Sequence, residues 1–294
     1  VDPLFELAGI AKRFEGGKAL LFERVKGYDY PVLIGLYWNR DLLAKLLQTD
    51  SARLPFVLSD EIRAWQQSPS EPVIVKQGPA NEVVEPTPDL GKLPIPHHAE
   101  GDGGRYLTSS VVIAKDPDTG VRNLSIHRMM VTGKNRLTLL LEELGHLMDY
   151  YKRAEAKGVP LEITVNNGID FPLTVAAASP ASAAPIEMDE LGIASQMWGE
   201  PVTLIEAQTV AVEAIANAQF VIEGKILPRV REPEGPYAEV TGYYAERDDR
   251  WVIEVTAITR RRNPVFHSIL SGKEVGNAYG ISAAAGAFAK IHGL

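Results

Sequence analysis

The sequence predicts an α+β protein in which a small mixed N-terminal domain, residues 1–100, precedes a strand-dominated domain, residues 101–294. Three observations support this class. The first region follows the order helix, strand, strand, helix, helix. The stretch 77–104 is rich in proline and ends in Gly101-Asp102-Gly103-Gly104, which is typical of an extended connector. Most later segments have the composition of strands, which predicts a barrel-like or sandwich-like second domain.

Composition narrows the function classes. A chain of 294 residues is long enough for about two domains and a sizeable core. It has no cysteine, which excludes disulfides, thiolate-held clusters and a thiol nucleophile. The net charge of -8 disfavours binding of nucleic acid or an anionic membrane through a basic field. We expect a cytoplasmic protein, and because the chain starts at Val1 instead of Met, we expect it to be a piece of a longer one.

The N-terminal elements follow from periodicity and turn residues. Apolar residues at helical spacing predict a helix over Leu4–Arg13. Two short strands are predicted over Lys18–Val25 and Pro31–Tyr37. Asn39 is a favourable cap for a helix that runs to about Leu47. A further short helix is predicted over Asp60–Gln67.

The second region begins with a hairpin. Strands over Thr108–Ala114 and Val121–Val131 flank the turn Asp116-Pro117-Asp118-Thr119-Gly120. After a turn at 134–136, a helix is predicted as far as Lys157. The remaining predicted elements are an acidic helix start (Glu187, Asp189, Glu190) within Pro185–Gln196, and strands over Leu161–Val165, Pro201–Glu206, Ala218–Ile226, Tyr237–Tyr244 and Trp251–Arg260.

The strand around Arg128 carries polar residues that need an explanation. Alternation puts Asn123, Ser125 and His127 on one face, and Arg128 among apolar neighbours on the other. A guanidinium in that position needs a carboxylate partner, unless Arg128 simply extends into solvent at a strand end. If both faces serve one ligand, the strand must bulge, twist or end near 125–127.

Two further groups could carry chemistry. Carboxylates lie on both sides of the turn Gly235-Pro236, and paired carboxylates near an arginine form a good acid and base set; they could equally be solvated loop acids. His146 and Glu206, with an asparagine, would suit Mn²⁺ or Mg²⁺, although a lone histidine is usually structural. The sequence contains no HExxH, Walker A, G-x-G-x-x-G or G-x-S-x-G motif.

Taken together, these segments resemble the UbiD family of prenylated-FMN-dependent decarboxylases. The resemblance extends from Leu21 to His267, nearly the whole chain. Its most specific parts are Asn123-Leu124-Ser125-Ile126-His127-Arg128, Ile222-Glu223-Gly224 and Glu234-Gly235-Pro236-Tyr237-Ala238-Glu239-Val240-Thr241-Gly242-Tyr243.

The resemblance implies a flavin-binding split β-barrel and a set of roles. Asn123, His146 and Glu206 would bind the divalent metal, usually Mn²⁺ with a nearby K⁺, that holds the flavin phosphate. Arg128, Glu234 and Glu239 would be catalytic, with Glu239 the general acid. Ser125, Ile126, Arg128 and the metal-binding residues would contact prenylated FMN, and the stretch 178–182 resembles a cofactor-binding loop. A flavin prenyltransferase would supply the cofactor, and the substrate would be an aromatic, heteroaromatic or α,β-unsaturated carboxylic acid.

The sequence departs from the family pattern in two places. Gln219 stands where the family usually has glutamate, and the family's C-terminal dimerisation domain is absent from this chain. We therefore expect slow turnover by this piece, homo-oligomers of the longer protein, and an apolar tail, Ser282–Ala289, with nothing in this chain to pack against. Two alternatives remain: a non-catalytic flavin-binding or assembly subunit, and a metal-dependent hydrolase using His146, Glu206, Glu234 and Glu239.

Overall fold

The structure is a computed structural model that describes the backbone of residues 1–292 and the side-chain surroundings of residues 1–288. The side chain of Ala289, at the end of the predicted tail, and residues 293–294 lie outside that description. Within the described residues, no helix combines the length and the apolarity that crossing a membrane requires.

The N-terminal elements agree with the predicted order. They are α1 (Glu6–Arg13), β1 (Leu20–Phe22), β2 (Val32–Ile34), α2 (Arg40–Leu46) and α3 (Leu54–Gln67). The Asn39 side chain accepts hydrogen bonds from the backbone N–H groups of Asp41 and Leu42, at 2.9 and 3.3 Å, and so begins α2 as expected. The third helix starts six residues earlier than predicted, because proline at its first turn is compatible with a helix.

A large antiparallel sheet forms the second part of the molecule, so the α+β prediction is confirmed. In the described part of the chain it has nine strands, and eight of them follow the order β5-β8-β9-β16-β13-β10-β6-β7, with β4 paired to β16. The strands are β4 (Val83–Glu85), β5 (Tyr106–Leu107), β6 (Val111–Lys115), β7 (Arg122–Ile126), β8 (Met129–Gly133), β9 (Arg136–Leu139), β10 (Leu161–Asn167), β13 (Phe220–Glu234) and β16 (Asp248–Arg260).

Smaller elements cover this sheet. The described chain contains the further strands β3 (Val73–Val75), β11 (Thr203–Glu206), β12 (Glu213–Ile215), β14 (Tyr237–Ala238), β15 (Tyr244–Ala245) and β17 (Phe266–His267), and the helices α4 (His146–Ala156), α5 (Phe171–Ala177), α6 (Leu191–Trp198), α7 (Lys273–Val275) and α8 (Ile281–His292). The sequence pattern missed α5, since all of its side chains are buried and it shows no polar face.

The strand predicted to carry Asn123, Ser125 and His127 is interrupted after Ile126, and the sequence predicts an irregularity near residues 125–127. The hairpin partner β7 ends at Ile126, and β8 begins at Met129 with a different neighbour, so the two residues between them belong to no strand. Arg128 occupies this break with a side chain only 11% exposed. The chain therefore leaves the regular strand between Asn123 and Arg128, which is the condition for side chains from its two faces to serve one ligand.

The helix predicted directly after 134–136 is wrong in its first half. Residues Arg136–Leu139 form β9, which pairs with β8 and β16, and α4 begins only at His146. In this half, Leu137 and Leu139 alternate with polar residues and are fully buried in the sheet, which is the period of a strand and not of a helix.

The tail is also packed differently from the prediction. One face of α8, with Ser282 and Ala285 fully buried, lies against α3 and the loop at Pro180. A side-chain carbon at Gly286 would come within 2.5 Å of the Pro180 ring, which shows how closely the backbone approaches. Phe288, at 37% exposure, extends this contact, with its ring centroid 5.6 Å from that of Phe56 on α3, whereas Ala283, Ala284 and Ala287 are exposed. Packing partners for the tail are thus present in the chain.

Two hydrophobic cores hold the molecule together, and the N-terminal region contributes to both. Leu43 and Leu54 join a cluster with Leu173 and Leu204, whereas Leu7 joins a cluster with Phe220 on the large sheet. Burial of apolar surface is the main stabilising term. The N-terminal elements are therefore integral to the structure that positions Arg128 at the break between β7 and β8.

Candidate active site

Arg128 lies between two glutamates that are distant in sequence. Its Nε and Nη2 donate to the two carboxylate oxygens of Glu234, at 3.0 and 3.2 Å, a two-pronged ion pair. The same guanidinium donates through Nη1 to Glu239. The Tyr237 ring lies below the cation, 4.9 Å from it. The partner that Arg128 required is therefore a carboxylate on each side.

The two glutamates differ in exposure because of the elements that carry them. Glu234 ends the long strand β13, and its side chain is completely buried. Glu239 follows the short strand β14 on a turn closed by the hydrogen bond from Gly242 N to Glu239 O, 3.0 Å long, and its side chain is 34% exposed. The continuous strand predicted over 237–244 is thus two short strands joined by this turn. Glu234 can hold the arginine, and Glu239 can reach incoming ligands.

Arg128 and Glu239 line a cavity of about 250 Å³. Its other lining residues are mainly apolar or neutral: Thr108, Ile126, His127, Leu140, Glu142, Tyr237, Val240, Ser271, Val275 and Tyr279. One cation in a mostly apolar pocket is the arrangement expected for a small ligand with one carboxylate and an apolar body.

His127 lines this cavity as a neutral group. Burial lowers its pKa to about 4. Its two ring nitrogens lie 2.9 Å from the backbone oxygen of Leu140 and 3.0 Å from the Ser125 hydroxyl. Since a carbonyl only accepts, Nδ1 carries the proton and Nε2 accepts from Ser125. His127 therefore fixes the β7–β8 break without adding charge.

A second polar group forms along β7. The His146 ring, at the start of α4, lies 3.2 Å from the Glu190 carboxylate. That carboxylate also accepts from the backbone N–H of Leu124, at 3.0 Å, next to Asn123. The Asn123 amide nitrogen donates to Ser125 at 2.9 Å, which leaves the amide oxygen as the atom available to a cation.

Glu206, predicted to join Asn123 and His146, makes no contact with either of them within the described residues; this prediction needs correction. It ends β11, is exposed, and lies opposite Glu213 in a separate sheet. The strand β11 buries Leu204 on one face and Ile205 on the other, and its two ends, Thr203 and Glu206, are exposed. Glu190 stands where a carboxylate was expected.

The acidic residues Glu187, Asp189 and Glu190 are the sequence signal closest to this site. Their pattern indicates the acidic start of a helix and does not single out Glu190 as a ligand. In the structure, Arg122 donates to Asp189 at 3.1 Å, which ties the loop before α6 to β7, and to Glu213 at 2.9 Å, which ties β12 to β7. Burial raises the pKa of Glu190, while the hydrogen bonds from His146 and Leu124 N oppose that rise.

Two motif residues have structural roles. Glu223 is buried and accepts from the backbone N–H groups of Gln208 and Thr209, at 2.9 and 2.7 Å, so it holds a loop. Gln219, where the family usually has glutamate, accepts from Val265 N at 3.0 Å. This amide therefore contributes to packing between β13 and the segment before β17.

Comparison with known proteins agrees with this fold and motif set. Residues 72–274 match the UbiD family, described as the 3-octaprenyl-4-hydroxybenzoate carboxy-lyase Rift-related domain, and residues 1–62 match the N-terminal domain of the same carboxy-lyase. The first match alone covers more than half of the chain. The protein belongs to the UbiD family.

Individual relatives include enzymes. An uncharacterized protein of Rhodospirillum rubrum is 49% identical over 96% of this chain and 61% of its own length. Anhydromevalonate phosphate decarboxylase of Methanothermobacter thermautotrophicus is 34% identical over 92% of this chain and 61% of its own. The UbiD-class enzyme HmfF of Pelotomaculum thermopropionicum, solved with FMN, superposes with a TM-score of 0.90 at 41% identity, over 96% of this chain and 63% of its own.

The same HmfF enzyme has also been solved, in an evolved dimeric form, with prenylated FMN. The chain described here spans about three fifths of the length of these relatives.

Proposed function

We propose that this chain is the cofactor-binding and catalytic part of a reversible, non-oxidative decarboxylase that acts on an aromatic, heteroaromatic or α,β-unsaturated carboxylic acid. The observation that carries the proposal is the Glu234–Arg128–Glu239 arrangement at the mouth of a largely apolar cavity. Relatives that are decarboxylases or that bind prenylated FMN support it.

Arg128 is the binding group for the substrate carboxylate. Glu234 holds the guanidinium from the buried side through two hydrogen bonds, so the remaining Nη1 points toward the cavity side, where Glu239 now occupies it. An incoming carboxylate competes with Glu239 for this position. Its arrival frees Glu239 from the ion pair and lets the Glu239 carboxyl take up a proton.

Glu239 then acts as the general acid. Once carbon dioxide has left, a carboxyl oxygen of Glu239 delivers the proton to the carbon that carried the carboxylate. The partial exposure of Glu239 lets it be reprotonated from solvent, and the apolar walls formed by Leu140, Val240 and Val275 exclude water from the reacting carbon. Bound prenylated FMN would supply the electron sink that decarboxylation requires.

The residues near β7 fit a hard divalent metal such as Mn²⁺. Asn123 offers an amide oxygen, His146 an imidazole nitrogen and Glu190 a carboxylate, which are the donor types that such an ion accepts. We propose Glu190, in place of Glu206, as the acidic ligand. A K⁺ ion and the contacts of Ser125 and Ile126 with the flavin are part of the same proposal.

The decisive experiment is to co-express the protein with a flavin prenyltransferase. We expect a visible absorption spectrum distinct from that of FMN, and release of carbon dioxide from an unsaturated or aromatic acid. A flavin-loaded protein that releases none from a broad panel of such acids would favour the alternative of a non-catalytic flavin-binding subunit.

The hydrolase alternative finds less support. It needs His146, Glu206, Glu234 and Glu239 around one metal, whereas Glu234 and Glu239 are paired with Arg128 and His146 is paired with Glu190. Within the described residues, no three histidine, aspartate or glutamate side chains are gathered closely enough to hold a metal by themselves.

A further inference from the structure

The segment Asp102–Tyr106, whose first three residues belong to the predicted connector 77–104, lies directly behind the strand end and turn that carry Glu234 and Glu239. It touches the segment 234–238 through four polar contacts, one aromatic contact and one close backbone approach. None of these contacts is needed for a connector, which has only to span a distance.

Tyr106 makes the contact closest to the reacting groups. Its hydroxyl donates to Glu234 Oε1 at 2.9 Å, the same oxygen that accepts from Arg128 Nε at 3.0 Å. Both Tyr106 and Glu234 are fully buried. Burial, and then the nearby Glu234 carboxylate, raise the pKa of Tyr106 well above its usual range, so the hydroxyl remains a donor at every working pH.

The ring of Tyr106 also packs against Tyr237, which lies in the segment 234–238. Its centroid lies 4.6 Å from that of Tyr237, whose ring in turn lies under the Arg128 guanidinium at 4.9 Å. Tyr106 therefore contacts both the anion and the aromatic face that hold Arg128.

Asp102 and Gly103 hold the backbone of the same segment. Asp102 Oδ1 accepts from Ala238 N at 2.8 Å, and Gly103 N donates to Pro236 O at 2.7 Å. A side-chain carbon at Gly103 would lie 2.2 Å from the oxygen of Gly235, so only glycine permits this approach. Because Glu239 directly follows Ala238, these contacts hold the backbone next to Glu239.

We infer that Asp102, Gly103 and Tyr106 are positioning residues for the reaction: Tyr106 orients Glu234 against Arg128, and Asp102 with Gly103 sets the backbone that presents Glu239. This assignment rests on the proposed decarboxylase function.

The test compares Tyr106→Phe with Tyr151→Phe in protein loaded with prenylated FMN and Mn²⁺. Tyr151 is a matched control, because it is also buried and its hydroxyl also donates to a glutamate, Glu155, and to a backbone oxygen, that of Leu227. It makes none of the contacts described for the active site.

We expect Tyr106→Phe to lower kcat by about 10- to 100-fold, the usual effect of losing a hydrogen bond to a charged group. KM for the acid should rise as well, because Glu234 holds the guanidinium that is proposed to bind the substrate carboxylate. Asp102→Ala, which removes the acceptor for Ala238 N, should lower kcat and slow deuterium exchange from solvent into product. Tyr151→Phe should change neither kcat nor KM, whatever it does to thermal stability.

A wild-type kcat and KM in Tyr106→Phe would overturn the inference, and so would an equal change of both in Tyr151→Phe. If the loaded wild-type protein itself releases no carbon dioxide, the proposed function fails instead, so the activity of the wild type distinguishes the two failures.

Discussion

At the residue scale, the candidate chemistry depends on a single arginine with different carboxylates on its two sides. Glu234 is sealed from solvent and receives three donors, two from Arg128 and one from Tyr106. Glu239 is partly exposed and receives one. The buried member is suited to holding a charge in place, and the exposed member to exchanging a proton.

Replacing Glu239 with glutamine tests its role as an acid. The amide keeps the size of the side chain but cannot deliver a proton, so decarboxylation should fall by about 10²- to 10⁴-fold. Exchange of deuterium from solvent into product should fall with it. Exchange that proceeds at a near-normal rate in Glu239→Gln would show that another group carries the proton.

Replacing Glu190 and Glu206 in parallel tests which carboxylate serves the metal. Glu190→Gln should weaken Mn²⁺ retention by the flavin-loaded protein by at least about tenfold, since a ligand matters no less than the groups that orient it. Glu206→Gln should retain the metal, because that side chain is exposed on a different sheet. Metal content after dialysis provides the measurement, and the reverse result would restore Glu206.

At the element scale, the short helix α7 carries a buried carboxylate that links it to the N-terminal region. Glu274 is fully buried and accepts from Tyr37 N at 3.3 Å and Leu270 N at 3.2 Å. Burial raises the pKa of Glu274 to about 7. Val275, the next residue, lines the cavity, so this link positions one wall of the site.

The raised pKa predicts a pH dependence with a definite sign. The native state keeps a proton on Glu274 that the unfolded chain releases near its ordinary pKa of 4.5, so this group lowers stability as pH rises from there to about 7. Glu274→Gln should therefore narrow the difference in Tm between about pH 5 and about pH 8. Thermal melts at both values check this, and an unchanged difference would contradict it.

At the scale of the whole molecule, the shared cores predict cooperative unfolding. Trp38 and Trp65 lie in the N-terminal region and Trp251 lies on the large sheet, and each belongs to or packs against a core that contains residues of both regions. We expect far-ultraviolet circular dichroism and tryptophan fluorescence to report one coincident thermal transition. Two separated transitions would show that the predicted domains, 1–100 and 101–294, unfold independently.

Much of the site could be predicted from the sequence, because its signals are local. Arg128 among apolar neighbours required a carboxylate, and its offset from Asn123 required the strand to break between them, as it does. The motif around Glu234 and Glu239 is contiguous, and the α+β class follows from composition and turns. Such features depend on the alternation of side chains along a strand and on turn chemistry, which a few neighbouring residues determine.

Only the tertiary structure decided which distant groups meet. Glu190 contacts His146 because the Arg122–Asp189 ion pair holds the loop of Glu190 against β7. Glu206 does not contact His146, because β11 belongs to another sheet. Residues 136–139 form a strand because β8 and β16 pair with them on either side. The C-terminal tail packs as α8 against α3. These outcomes depend on contacts between residues far apart in the chain, whose free energy is set by packing and burial and leaves no periodicity in the sequence.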